Sequence, residues 1–140
     1  MRQNSTLHQL TARWGRARYE VVRQHWDTPF LHYRLVDGDI TLLPGIDLLE
    51  TSGHVPGHQS VLISLIQTGP VLLTIDAIPS ASMLDSETRV VFPDNDEDEA
   101  KTRASTRKLV EIARLVGAFI IHGHDHQQWP KLKHAPEYYT

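Results

Sequence analysis

Eight residues, Thr51-Ser52-Gly53-His54-Val55-Pro56-Gly57-His58, separate the apolar run Ile46-Asp47-Leu48-Leu49-Glu50 from a second one, Val61-Leu62-Ile63-Ser64-Leu65-Ile66. Both runs have the length and alternation of strands, so the segment between them must turn the chain within a tight loop. Gly53 and Gly57 can take backbone angles closed to other residues, and Pro56 stiffens the turn between them. An imidazole carried by such a loop is held in a fixed direction at a strand end, as a metal site requires. A Gly/Pro turn that happens to carry two surface histidines accounts for the same residues, and the loop by itself does not separate the two readings.

Composition narrows the chemistry. The chain has no cysteine, so disulfides, thiolate metal sites and a cysteine nucleophile are excluded, and any metal must be held by His, Asp or Glu. With 140 residues, 40% of them hydrophobic and 22% charged, it is expected to form a single domain, residues 1–140, with a real core. A net charge of -3 and the lack of a sustained basic run argue against nucleic acid as a partner. The opening Met1–Thr6 is polar and the longest apolar runs are strand-sized, so no membrane span is expected and a cytoplasmic location is the default.

Leu10, Trp14, Ala17 and Val21 recur at helical spacing and predict a helix from Leu10 to His25. Asp37-Gly38-Asp39, flanked by His32–Val36 and Ile40–Leu43, predicts a hairpin. After the histidine loop, Ser60–Gln67, the turn Thr68-Gly69-Pro70 and Val71–Ile75 make a second hairpin, whose last strand runs into Asp76. An acid at that place is either a turn cap or a ligand. Residues 78–93 show no period and read as a long loop.

The acidic run Asp94, Asp96, Glu97, Asp98 and Glu99 reads as a solvated face or the charged start of a helix, without the spacing of a calcium loop. Ala104, Leu109, Ile112, Ala113 and Val116 share one helical face, and Gly117 supplies the stop. Ala118–Ile121 then forms a short strand leading into His122-Gly123-His124-Asp125-His126. In an extended segment these three imidazoles would point the same way and could bind a metal by themselves; otherwise the cluster is a polar loop.

Thr-Ser-Gly-His-Val-Pro-Gly-His-Gln-Ser, from Thr51 to Ser60, closely resembles the Thr-Pro-Gly-His-Thr-Pro-Gly-His-x-Ser signature of the metallo-β-lactamase superfamily, with Ser52 where proline is common. Asp37-Gly38-Asp39 with Pro44-Gly45-Ile46, and the tail Lys131–Tyr139, are similar to the N-acyl-homoserine lactonase branch, whose members act in quorum quenching. The resemblance implies an α/β fold, half of an αβ/βα sandwich with mostly antiparallel strands and flanking helices. It implies that His54 binds one metal, that Asp76 bridges two metals and is the catalytic carboxylate, and that His124 binds the second metal. His58 would belong to the loop's scaffold, and His122 and His126 would be loop or supporting residues.

The activity so implied is hydrolysis of an ester or lactone by metal-activated hydroxide, with two zinc ions, iron or manganese being compatible with the same donors. The lactonases place a tyrosine three residues after the bridging aspartate, where this chain has Pro79, and that puts the lactone substrate in doubt. The leading His-x-His-x-Asp-His of the superfamily is absent, because His8, His25 and His32 stand alone. The chain is therefore expected to be a truncated, inactive hydrolase whose small-molecule substrate is an ester or lactone. Two other readings stay open: a non-catalytic binding or self-association module, dimerising through exposed sheet, and a mononuclear metal-binding protein using His122, His124 and His126.

Overall fold

The computed structural model describes residue 30 and residues 32–140. The helix expected from Leu10 to His25 lies outside them. The chain divides between Val36 and Asp37, and the unit Asp37–Thr140 carries every element described below.

Five strands form one sheet: β1 (Ile40–Leu43), β2 (Ile46–Glu50), β3 (Gln59–Leu65), β4 (Gly69–Ile75) and β5 (Phe119–His122). They lie in chain order, antiparallel from β1 to β4, with β5 parallel to β4. A parallel pair cannot be joined by a hairpin. The helix α1 (Glu99–Val116) lies in the long connection from β4 to β5. The α/β class expected from the sequence is the one observed.

The first hairpin is not where Asp37-Gly38 predicts it. Residues 32–36 form no strand, and Tyr33 and Leu35 are largely exposed. β1 instead turns at Pro44-Gly45, where Gly45 takes the left-handed conformation (φ 82°), and pairs with β2. Asp39 is used elsewhere: its Oδ1 accepts from the Glu50 N–H at 2.8 Å and from Lys108 Nζ at 2.5 Å, tying the start of β1 to the end of β2 and to α1. Asp37-Gly38 favours a turn, but the bonds of the next residue set the Asp39 side chain against the neighbouring strand end.

The α1 termini follow the sequence. Asp98 caps the N-terminus by accepting from the Lys101 N–H at 3.0 Å, and Gly117 (φ 68°) closes the other end. Its buried face is rotated from the expected one. Thr102, Ser105, Thr106, Leu109 and Ala113 are buried, whereas Ala104 is exposed and Val116 is 44% exposed. The first two turns pack against polar loops, so hydroxyls are the buried groups there. Ser105 Oγ donates to the Ser52 carbonyl at 2.7 Å, and Thr106 Oγ1 accepts from Arg89, so these two buried oxygens are satisfied, whereas Thr102 Oγ1 is buried without a partner among the described residues.

Leu49, Leu72, Ala77, Ile78, Leu109 and Ala113 form the core between the sheet and α1, with Leu62 and Ile120 packed on it. Each fully buried leucine contributes about 1.5–3 kcal/mol. The pairing register puts Ile46, Leu48, Val61, Ile63, Leu73 and Ile121 on the opposite face, so that face too is apolar, and these six side chains are half-buried. Residues 78–93 are irregular apart from a short 3-10 turn at Ala81–Met83, as their lack of period predicts. Buried Arg89 pins this loop, donating from one terminal nitrogen to the Ala77 carbonyl and to Thr106 Oγ1, each at 2.5 Å.

Candidate metal centre

β2 ends, β3 begins, and β4 and β5 end at one rim of the sheet, as the strand directions require. The loop carrying His54, the Asp76 corner and the segment carrying His124 therefore share that rim. β3 stands between β2 and β4, so only Asp76 and His124 leave neighbouring strands.

Those two meet directly. His124 Nε2 lies 2.7 Å from Asp76 Oδ1. Asp76 makes this contact rather than capping a backbone turn. Two local features aim it. Ile75 holds a left-handed backbone (φ 52°), which is costly for a β-branched residue, and the ladder between β4 and β5 slips in register between Leu73 and Ile75. Gly123 lets the chains close: a Cβ there would lie 2.5 Å from the Ile75 carbonyl oxygen. The His124 N–H also donates to the Pro79 carbonyl at 2.8 Å, so the residue standing at the lactonase tyrosine position anchors this loop through its backbone.

His54 sits apart from that pair and has its own partner. Its Nδ1 lies 3.1 Å from Asp96 Oδ1, with side-chain exposures of 24% for His54 and 3% for Asp96. Asp96 is thus no member of a solvated acidic face. The loop folds against the start of α1: the Glu97 N–H donates to the His54 carbonyl at 3.1 Å and the Asp98 N–H to the Gly53 carbonyl at 3.0 Å. Gly53 is required by this approach, since a Cβ would lie 2.3 Å from the Thr102 nitrogen. Ser52, the departure from the proline of the family signature, accepts from the Gly57 N–H at 3.0 Å and so closes the turn from within.

His58 lies near both halves of the site. Its ring centroid is 6.2 Å from that of His54. Ser60 Oγ donates to the Thr74 carbonyl at 3.2 Å, so the hydroxyl of Thr51, 3.1 Å away, donates to Ser60. The Thr51 oxygen, 2.8 Å from His58 Nδ1, then accepts from that ring nitrogen, and His58 Nε2 is a buried lone pair with no partner. Burial holds the His58 pKa below the ordinary histidine value; the charge of Asp76 opposes this and that of His54 reinforces it.

The remaining histidines separate. The strand ends at His122, so residues 123–126 do not continue the extended alternation that would put His122, His124 and His126 on one side. His122 is buried with Nδ1 3.1 Å from the Ile78 carbonyl oxygen, and His126 is exposed. Asp125 knits the segment together, accepting from the Ala81, Gln127 and Gln128 N–H groups at 2.8–2.9 Å. A cleft of about 290 Å³ opens beside His124, lined also by His122, Gln128, Trp129 and Leu132.

In kind, the donors suit a divalent ion: two imidazoles and a carboxylate, one imidazole backed by a buried carboxylate in the way ligating histidines are held. In number they fall short. Among the described residues, no group of three or more His, Asp or Glu side chains is gathered closely enough to hold a metal, and this includes His122, His124 and His126. Asp96 is the residue that sequence reasoning missed, because nothing local distinguishes it from its acidic neighbours.

No family model matches the chain. An N-acyl homoserine lactonase from a Bacillus species is 41% identical over 110 residues, covering 79% of this chain and 42% of that protein. The N-acyl homoserine lactonase AttM of Azorhizobium caulinodans is 37% identical over 124 residues, covering 84% of this chain and 46% of that one. Among solved structures, an N-acyl homoserine lactone hydrolase with N-hexanoyl-L-homoserine at its catalytic metal centre superposes with a TM-score of 0.71 at 37% identity, over 80% of this chain and 43% of that one. The dizinc quorum-quenching lactonase AidC, at 21% identity and a TM-score of 0.61, covers 91% of this chain and 44% of its own, and shares the fold. The chain thus spans less than half the length of these relatives. Among the described residues no helix is long and apolar enough to cross a membrane.

Proposed function

We propose that the unit Asp37–Thr140, in a chain related to the N-acyl homoserine lactonases over less than half their length, contributes His54, Asp76 and His124 to a metal-dependent lactonase centre. The observation that carries this reading is the 2.7 Å contact between Asp76 and His124 at the rim that also bears His54. Two zinc ions are the cofactor proposed, as in the dizinc relative. Such ions, when bound, lower the pKa of water and polarise the carbonyl under attack. Asp76 and His124 would hold the metal at the β4 and β5 ends, the bend at Ile75 aiming the Asp76 carboxylate toward His124. His54 would present Nε2 from the other side, its Nδ1 taken by Asp96. The cleft beside His124 gives a small lactone or ester apolar contact at Trp129 and Leu132, and Pro79 donates no hydrogen bond there.

Three donors are fewer than two zinc ions need, at about four ligands each. The 140-residue chain alone is therefore proposed to turn over lactone negligibly, and the remaining donors come from a polypeptide bearing the leading histidine motif. The test is ring opening of an acyl-homoserine lactone by the chain in excess zinc, with and without that polypeptide. Expected is turnover only in the mixture, lost in His54→Ala, Asp76→Asn and His124→Ala and kept in His134→Ala. Turnover by the chain alone that persists in chelator would sink the metal reading.

A second reading, self-association through the sheet, is supported by the apolar face of Ile46, Leu48, Val61, Ile63, Leu73 and Ile121. It predicts a dimer in sedimentation, and a monomer at micromolar concentration counts against it.

A further inference from the structure

We propose that Asp96 is a positioning residue that fixes the tautomer and direction of His54. The proposal rests on the reading of His54 as a metal ligand. The Asp96 carboxylate has two fixed neighbours: Oδ1 lies 3.1 Å from His54 Nδ1, and Oδ2 accepts from the Phe92 N–H at 2.9 Å. Its own N–H donates to the Phe92 carbonyl at 2.7 Å, so the carboxylate cannot swing away without breaking the turn. An ionised carboxylate only accepts, so the proton of a neutral His54 sits on Nδ1 and the Nε2 lone pair is free for a metal.

The side chain is nearly fully buried, and a buried carboxylate is stable only with charge or hydrogen bonds about it. Both hydrogen bonds come from the segment that links β4 to α1 and from the loop it braces. The buried Arg89 guanidinium, held by the Ala77 carbonyl and Thr106, adds opposite charge from the same segment without touching the carboxylate. The turn Phe92–Asp96, which carries none of the donors named above, therefore sets the chemistry of one of them.

Replacement by asparagine makes the claim testable with little change of shape. The Phe92 N–H is a donor in every circumstance and claims the one amide oxygen of the variant. The amide NH2 then faces His54 Nδ1, which must accept, and the proton moves to Nε2, the wrong nitrogen for ligation. Replacing the carboxylate behind a catalytic histidine by its amide has this effect on the tautomer elsewhere.

The experiment is a long-range nitrogen–proton correlation spectrum of the imidazoles in the full chain, at a pH where histidine is neutral, beside a zinc competition titration with a chromogenic chelator on the chain mixed with the polypeptide that bears the leading histidine motif. Expected are an Nδ1–H tautomer at His54 in the wild type, an Nε2–H tautomer in Asp96→Asn, and zinc affinity about 10–100-fold weaker in that variant. Asp94→Asn, at an exposed acid of the same run, leaves both readouts unchanged. A wild-type His54 protonated on Nε2 overturns the proposal, and this needs no variant to fold. An unchanged tautomer in Asp96→Asn overturns it equally. Wild-type chain that takes up no zinc even with that polypeptide present, while the tautomer flips as stated, would sink His54 as a ligand and uphold the positioning by Asp96.

Discussion

Asp76 Oδ1 and His124 Nε2 stand 2.7 Å apart although the residues are separated by 48 positions. The parallel pairing of β4 with β5, after the crossover through α1, brings their C-terminal ends side by side. The backbones pass so closely at Gly123 that a Cβ there would meet the Ile75 carbonyl.

Gly123→Ala places a methyl group 2.5 Å from the Ile75 oxygen, against backbone that cannot rotate away. A loss of about 2–3 kcal/mol is expected in urea unfolding, the upper range for forcing one extra carbon into a packed site. Gly57→Ala, at a left-handed position (φ 73°) with open space around it, should lose only about 1–2 kcal/mol. Equal losses would show that the close approach at Gly123 is not what constrains the site.

At Ile75 the usual order of alanine over glycine should reverse. The left-handed backbone (φ 52°) costs an L-residue about 1–2 kcal/mol, more than the roughly 0.5–1 kcal/mol that glycine loses in backbone entropy. Ile75→Gly is therefore expected to be more stable than Ile75→Ala by about 0.5–1 kcal/mol in thermal melts. An Ile75→Ala protein more stable than Ile75→Gly would contradict the bend that aims Asp76.

Acid should destabilise the unit below about pH 4, the ordinary carboxylate range. Backbone N–H bonds hold three carboxyls below their usual pKa: Lys101 N–H at Asp98, Glu87 N–H at Asp85 and Ala81 N–H at Asp125. Each pKa is lower folded than unfolded, so the unfolded chain binds protons first as pH falls. Their stabilisation is present above the unfolded pKa and is lost as pH drops through the folded one. Midpoints measured from pH 6 to 2.5 should fall most steeply below pH 4, and less steeply in Asp98→Asn. A midpoint that stays level down to pH 2.5 would count against these caps.

Leu109→Ala empties the centre of the contact between α1 and the sheet, where Leu109 is fully buried. The expected cost is about 2–5 kcal/mol in chemical denaturation. A loss under 1 kcal/mol would mean that α1 is not held by this core.

Much of the architecture was legible in the amino-acid order, because the signals concerned are local. The strands on both sides of Thr68-Gly69-Pro70, the histidine loop between apolar runs, and the α1 stop at Gly117 each follow from a few neighbouring residues and their backbone preferences. The placing of His54, Asp76 and His124 just beyond strand ends followed as well, since Asp76 closes an apolar run and the two histidines lie in the short loops after one. Long-range choices were not legible. Asp37-Gly38 has good turn chemistry, yet the hairpin formed at Pro44-Gly45 once Asp39 was engaged by Glu50 and Lys108. The buried face of α1 turned toward hydroxyls because its first turns meet a polar loop. Within the acidic run every carboxylate looks alike until the loop after β4 packs. Only then does Asp96 become buried against His54 while Asp94 stays in water, because burial is a property of the surfaces that meet and not of the residue alone.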